Sequence, residues 1–249
     1  MAETPETASG SMSFLEHLDE LRSRLFKAAL AYAVVFGACW YWSAPILEFL
    51  LRPIRKHLFQ GGDIVFIYLT EPFAVYMKAA ATVAFFVAAP YILYQFWAFV
   101  APGLYRNERM LGVAFLVSGT LFFVTGGAFG YYVAVPLAAQ WLIALGQGFK
   151  ASLTLQSAFQ FESRLILGMG AVFELPLVIV FLSRIGIVSP GFLLYHFRFA
   201  VIVIAVLAAI ITPSGDMLTM TVFGAPMIGL YLLGIALSWI FERRAGPRS

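Results

Sequence analysis

Apolar residues gather along the chain into six runs separated by polar segments, at about Ala28–Leu47, Ala79–Val100, Leu111–Val135, Leu165–Ser183, Phe199–Thr212 and Leu218–Ile240. A helix needs about 20 apolar residues to cross the roughly 30 Å hydrocarbon core of a bilayer, so the pattern predicts six transmembrane helices. The fifth and sixth spans are expected to be the short ones. The fifth reaches only about 21 Å, so either it starts nearer Tyr195 or the bilayer thins around it. Pro90 and Pro176 stand inside the second and fourth runs. A missing N–H bends a helix, and two bent spans predict a concave wall. Ahead of the first run, Phe14, Leu18, Leu21 and Leu25 recur at helical spacing, which predicts an amphipathic helix with Ser13 as its N-cap.

Composition turns this pattern into a fold class. Of 249 residues, 61% are hydrophobic and 12% charged, with a mean hydropathy of +0.88. Ordinary soluble domains are about 45–50% apolar and about 25% charged, so most of the outer surface must face lipid. The expectation is an all-α polytopic membrane protein. A net charge of +3 is too mild to argue for nucleic acid, and the single cysteine, Cys39, excludes an intrachain disulfide or a Cys-based metal site. Met1–Ser13 is polar, and the run after it is too long and lacks a small-residue cleavage site, so the first span is expected to stay in the protein.

The placement of positive charge sets the expected orientation. Lys and Arg gather in the N-terminal segment (Arg22, Arg24, Lys27), the second loop (Arg106, Arg109), the fourth loop (Arg184, Arg198) and the tail (Arg243, Arg244, Arg248), twice as many as on the other side. Both termini are therefore expected in the cytoplasm. The chain reads as one membrane domain, 1–249. It comprises a flexible tail (1–12), a cytoplasmic amphipathic helix (13–24), external caps (48–71 and 136–164) and a cytoplasmic tail (241–249).

Candidate chemistry is sparse. Glu20 lies within two turns of Arg22 and Arg24, so it either forms an intrahelical ion pair or offers a carboxylate to a cationic ligand. Glu16 and His17 fit ordinary surface pairing. Glu108 follows Pro102-Gly103 in a short loop expected at the depth of Glu20; it either caps the third helix beside Arg109 or completes a two-carboxylate site for guanidinium groups. Glu174 is the acid within the spans, two residues before Pro176. Such a group costs at least about 2.5–3.5 kcal/mol to insert, so it faces a cavity, a partner or a neighbouring helix. Lys78 reads as a snorkelling anchor, and Gly126-Gly127 and Gly168/Gly170 as close-packing positions. The three histidines, His17, His57 and His196, lie in separate segments, and no nucleophile, metal or P-loop motif is present. An enzyme is not expected, nor is a cofactor. Energy for transport would come from a gradient or from partners.

Several motifs together resemble one family. Phe14-Leu15-Glu16-His17-Leu18-Asp19-Glu20-Leu21-Arg22-Ser23-Arg24, Glu71-Pro72-Phe73, the stretch from Pro90 through Pro102-Gly103-Leu104-Tyr105-Arg106-Asn107-Glu108-Arg109, and Phe173-Glu174-Leu175-Pro176-Leu177 are similar to the signature segments of the TatC family, core subunits of twin-arginine protein translocases. Gly186-Ile187-Val188-Ser189-Pro190 and Ile211-Thr212-Pro213 continue the resemblance in the family's order. It implies a receptor in the cytoplasmic membrane for signal peptides bearing consecutive arginines, on proteins exported already folded and powered by the proton gradient. Glu20 and Glu108 match the family's signal-binding acids, with Leu18, Arg22, Phe99, Tyr105 and Arg109 as supporting residues around them. Glu174 with Pro176 matches the intramembrane acid whose face meets the single-span partners TatA and TatB, and Asp216 the acid of the turn between spans five and six. The implied assembly is a homo-oligomer within a larger complex in lipid.

Two departures stand out. Leu232 follows Leu230-Tyr231 where many members carry a glutamate. The turn before Met220 is one residue longer than usual, and Met220 replaces a common glutamine. A rival reading of the residues is a proton-coupled small-solute transporter using Glu174.

Overall fold

A computed structural model of the chain describes residues 14–58, 63–100, 109–146, 152–212 and 216–244. Helices dominate them, and the family of apolar runs resolves into long packed rods. Helix α1 (Phe14–Tyr41) runs unbroken from the predicted amphipathic segment into the first span, so residue 24 is no boundary; no proline interrupts the stretch. Pro45 ends it, because in a continued helix its ring would clash with the carbonyl of Tyr41. The chain turns at Trp42 and starts α2 (Ser43–His57), which meets α1 at 84°. The first span therefore stops about six residues before the expected Leu47, and the first part of the predicted first cap is the amphipathic helix α2.

Helix α3 (Glu71–Val100) is continuous through Pro90. Helix α4 (Arg109–Phe129) passes through a π-helical turn, Gly130–Ala134, into α5 (Val135–Leu145). Pro136 accounts for that turn: it removes the N–H owed to the Tyr132 carbonyl, and widening the helix by one residue before it relieves the clash. The wider turn aims Tyr131 inward, where its hydroxyl donates to the Phe49 carbonyl at 2.7 Å and its ring stacks on Phe49.

Helix α6 (Leu155–Phe173) starts ten residues before the expected Leu165, with Thr154 as N-cap accepting the Ser157 N–H at 3.1 Å. The second cap is thus divided between α5 and α6. Two short parallel strands, β1 (Asp63–Val65) and β2 (Ser152–Thr154), pair Ile64 with Leu153 and join the segments before α3 and α6. After Glu174, α7 (Leu175–Arg184) continues the fourth rod. It closes on a Schellman motif at Gly186, whose φ of 80° a side chain would resist; the Ile187 N–H reaches the Leu182 carbonyl at 3.0 Å.

Helix α8 (Pro190–Tyr195) is capped by Ser189 and separated at His196 from α9 (Phe197–Ile211), so the fifth run does not extend back to Tyr195 and remains a 15-residue apolar helix. The sixth is not short. Helix α10 (Met217–Arg244) has 28 residues, of which Thr219–Ile240 is an apolar window of 22. Among the described residues, four helical rods are long and apolar enough to cross a bilayer, or five counting the bent α1–α2 pair. Residues 1–13, among them the expected N-cap Ser13, and 245–249 lie outside the described residues.

The core runs from α2 (Leu50, Leu51, Ile54) through α3 (Val75, Ala79), α5 (Val135, Ala138) and α6 (Phe159, Leu165, Met169) to α10 (Phe223, Met227). Small residues let the rods approach, as the glycine pairs predict. A Cβ at Gly126 would stand 2.5 Å from the Met169 carbonyl oxygen, and one at Gly130 2.9 Å from the Ile166 Cα. On the other side, Cys39 of α1 is buried against Ala80 and Ala84 of α3.

Candidate functional site

The site-bearing end of the bundle is where α1 begins and α3 ends. In α1, positions 17, 20 and 24 share one face, at helical spacings of three and four. His17 lays its ring on Phe99 of the last turn of α3, with centroids 4.4 Å apart and planes 15° from parallel. One turn on, the Arg24 guanidinium donates through Nε at 2.8 Å and Nη2 at 2.6 Å to the same oxygen, Oε1 of Glu20. Only about a quarter of the Arg24 side chain and a fifth of the Glu20 side chain are exposed. Glu20 Oε2 is shielded from solvent and has no hydrogen-bond partner among the described residues.

Both halves of the expected alternative for Glu20 therefore coexist: an i,i+4 ion pair forms, and one carboxylate oxygen is left over. Leu18 and Arg22 point away from this face and are exposed, as are Leu21 and Leu25, leaving the predicted apolar stripe of α1 uncovered. Phe99 is brought to Glu20's neighbourhood through His17. Glu108 and Tyr105 lie outside the described residues, and Arg109 opens α4 immediately after them.

Glu174 occupies the break in the fourth rod. It is the last residue of the α6 terminus and the residue before α7, with φ −74° and ψ −13°, and Val178 N–H returns to its carbonyl at 3.0 Å. Its side chain turns toward α4, where a Cβ at Gly119 would sit 3.5 Å from Oε2, with Leu177 and Leu93 alongside. Oε1 is shielded and without a partner among the described residues. Pro176 is fully buried, and its Cα would lie 3.0 Å from a Cβ at Gly234 of α10. The proline thus seats α7 on α10 while Glu174 faces the opposite side of the rod.

Asp216 caps α10: Oδ1 accepts the Thr219 N–H at 2.9 Å and Oδ2 the Thr219 hydroxyl at 2.5 Å. This is ordinary N-cap chemistry, here with an almost fully buried Thr219. Among the described residues no group of three or more His, Cys, Asp or Glu side chains is placed to hold a metal ion.

Sequence reasoning missed two acids. Glu162 of α6 is completely buried, and neither oxygen has a hydrogen-bond partner among the described residues. The signal was available: Leu155, Ala158, Phe159, Leu165, Ile166 and Met169 form a helical apolar stripe, and Glu162 falls in its middle. Placing the helix start at Leu165 put that acid in a loop. Glu71, quoted above only as part of a motif, is 4% exposed and accepts backbone N–H groups from Ile67 at 3.0 Å and Gln156 at 2.7 Å.

Residues 16–226 match the family described as Sec-independent protein translocase protein (TatC). The TatC of Koribacter versatilis is 43% identical over 96% of this chain and 89% of its own length. TatCy of Bacillus subtilis is 34% identical over 96% of this chain and 93% of its own. A crystal structure of the twin-arginine translocase receptor TatC, 31% identical, superposes with a TM-score of 0.80 over 90% of this chain and 99% of that one; a second, in the detergent DDM, gives 0.82. These matches run to protein translocase subunits, and the solute-transporter reading of Glu174 finds no support in them. With the family matched over most of its length and the helical architecture shared with solved members, the chain belongs to the TatC family of Sec-independent protein translocase proteins.

Proposed function

We propose that this chain is the receptor subunit of a twin-arginine translocase, spanning the cytoplasmic membrane six times with both termini inside. The six spans are α1, α3, α4 with α5, α6 with α7, α9 and α10. Glu20 and Glu108 together receive the consecutive arginines of a signal peptide, and the signal's apolar segment then lies along the concave side of the bent spans, near Glu174. Leu18, Arg22, Phe99, Tyr105 and Arg109 border that entrance.

The observation that supports this reading most is the Glu20 carboxylate. It already holds one guanidinium and keeps a second, shielded oxygen without a partner among the described residues. Arginine suits it better than lysine, because a planar fork can engage both oxygens of a carboxylate. The Phe99–His17 stack supports placing the segment that carries Glu108 beside it, since that segment leaves α3 one residue after Phe99. Losing one partner of a desolvated charge pair costs about 2–5 kcal/mol, or roughly 30- to several thousand-fold in affinity.

The half-buried Glu174 in the broken fourth rod is the proposed meeting point for TatA- and TatB-like single-span helices. The proton gradient supplies the energy, and copies of this chain work together within a larger lipid-embedded complex. The test is export of a folded fluorescent reporter behind a twin-arginine leader, with photo-crosslinking to that leader from a probe placed at the exposed position of Leu21, which leaves both carboxylates in place. Glu20→Ala and Glu108→Ala are each expected to abolish export and crosslinking while the protein still inserts; normal export by both variants overturns the assignment.

A further inference from the structure

Resting on that reading of Glu20, we propose that Arg24 is a resident competitor that sets the affinity of the site: its guanidinium occupies the position a signal arginine must take. Both of its bonds, from Nε at 2.8 Å and Nη2 at 2.6 Å, go to Oε1 alone. A fork shaped to engage two carboxylate oxygens is thus spent on one, and Oε2 stays shielded and without a partner among the described residues. An incoming guanidinium that pairs with Oε2 and displaces Arg24 makes the two-oxygen contact the resident group does not make. The exchange trades one charge-assisted pair for a better-shaped one. The carboxylate is never left bare, and the bound signal can be released as Arg24 returns.

The opposite role is a positioning residue, in which Arg24 holds the carboxylate in its receptive rotamer. The two roles differ in sign. A competitor weakens binding by about the worth of the pair it must lose, which is a factor of about two for an ordinary i,i+4 pair and up to about five for the best surface pairs. Removing it therefore tightens ligand binding, whereas removing a positioning group weakens it.

The experiment measures binding of a fluorescently labelled synthetic peptide, with two consecutive arginines and an apolar segment, to the purified full chain in lipid nanodiscs. Arg24→Gln is expected to bind it about two- to five-fold tighter than the parent, and Arg24→Lys, which keeps the charge and loses the fork, to fall between. In a Glu20→Gln background the gain from Arg24→Gln is expected to vanish, because the competition runs through that carboxylate. A gain that persists there marks general charge repulsion and overturns the proposal. So does unchanged or weaker binding by Arg24→Gln in a chain whose Glu20→Gln variant has lost affinity. If Glu20→Gln itself binds as well as the parent, the receptor reading fails first, and the competitor with it.

Discussion

Glu71 Oε1 accepts the backbone N–H of Gln156 at 2.7 Å, across 85 residues of chain. The same carboxylate takes the Ile67 N–H at 3.0 Å through Oε2, so one side chain at the head of α3 ties the segment before it to the first turn of α6. The parallel β1–β2 pair lies beside it and joins the same two segments. Helix N-termini carry unsatisfied N–H groups and a partial positive charge, which an acid satisfies on both counts.

Removing this acceptor takes away the carboxylate partner of the Ile67 and Gln156 N–H groups at a partly buried junction. Glu71→Ala is expected to lose about 1.5–3 kcal/mol of stability, the usual worth of hydrogen bonds to a charged group, and Glu71→Gln a smaller part because it keeps one carbonyl oxygen. Thermal unfolding in detergent, followed by tryptophan fluorescence, reads the difference. Equal stability of Glu71→Ala and the parent refutes the tie.

Glu162 presents the contrary case, an acid fully enclosed in the core with both oxygens lacking partners among the described residues. An unsatisfied buried polar group costs about 1–3 kcal/mol, and an apolar replacement of similar volume removes that cost. Glu162→Met is expected to raise the unfolding temperature without loss of export. A fall in stability larger than about 1 kcal/mol shows that the carboxyl makes a contact that matters.

These two acids also mark how far the sequence could be read. The spans were legible because each is a long run of residues that only lipid or a core accommodates, and α9 kept its predicted shortness. Helix ends were not, because apolar character continues across them: Tyr41, Trp42 and Ile46 read as one run, although Pro45 stops α1. The early start of α6 was signalled by Thr154 three residues ahead of Ser157, a capping pattern overlooked beside the stronger apolar run that begins at Leu165. At the site, the residue that touches Phe99 is His17, one turn before Glu20, and nothing in the pattern of a helix with surface charges marks that histidine as an inter-helix contact. Helical spacing decides between the two arginines near Glu20: Arg22, two positions on, falls on another face, whereas Arg24, four positions on, stands one turn above it and takes the pair.

Gly126 sets the distance between α4 and α6. A Cβ there would press on the Met169 carbonyl oxygen at 2.5 Å and on the Phe173 side chain at 2.7 Å, and a backbone oxygen in a helix cannot yield as a side-chain end can. Gly126→Ala is expected to cost about 1–3 kcal/mol through overpacking. Gly37, with nothing within 4 Å of such a Cβ, is the control, and Gly37→Ala is expected to be neutral or slightly stabilising. Matched unfolding curves for the two variants would show that α4 and α6 can accommodate a side chain between them, and refute the role given to Gly126.

The His17–Phe99 stack separates holding the entrance together from binding the ligand. Glu20 keeps its ion pair with Arg24 whether or not α3 is in contact, since both residues belong to α1. What the stack adds is the position of α1's first turns relative to the end of α3, from which the chain proceeds to Glu108. Stacked rings contribute about 0.5–1.5 kcal/mol, so Phe99→Ala is expected to weaken twin-arginine peptide binding by roughly 2- to 12-fold, with Phe99→Tyr retaining it. Because α1 and α3 also pack through Cys39, Ala80 and Ala84 further along, global stability should fall much less than it does in Glu71→Ala. The check is a peptide titration beside an unfolding curve for each variant. Peptide affinity unchanged in Phe99→Ala would mean that the two-acid grip does not depend on how α1 is set against α3.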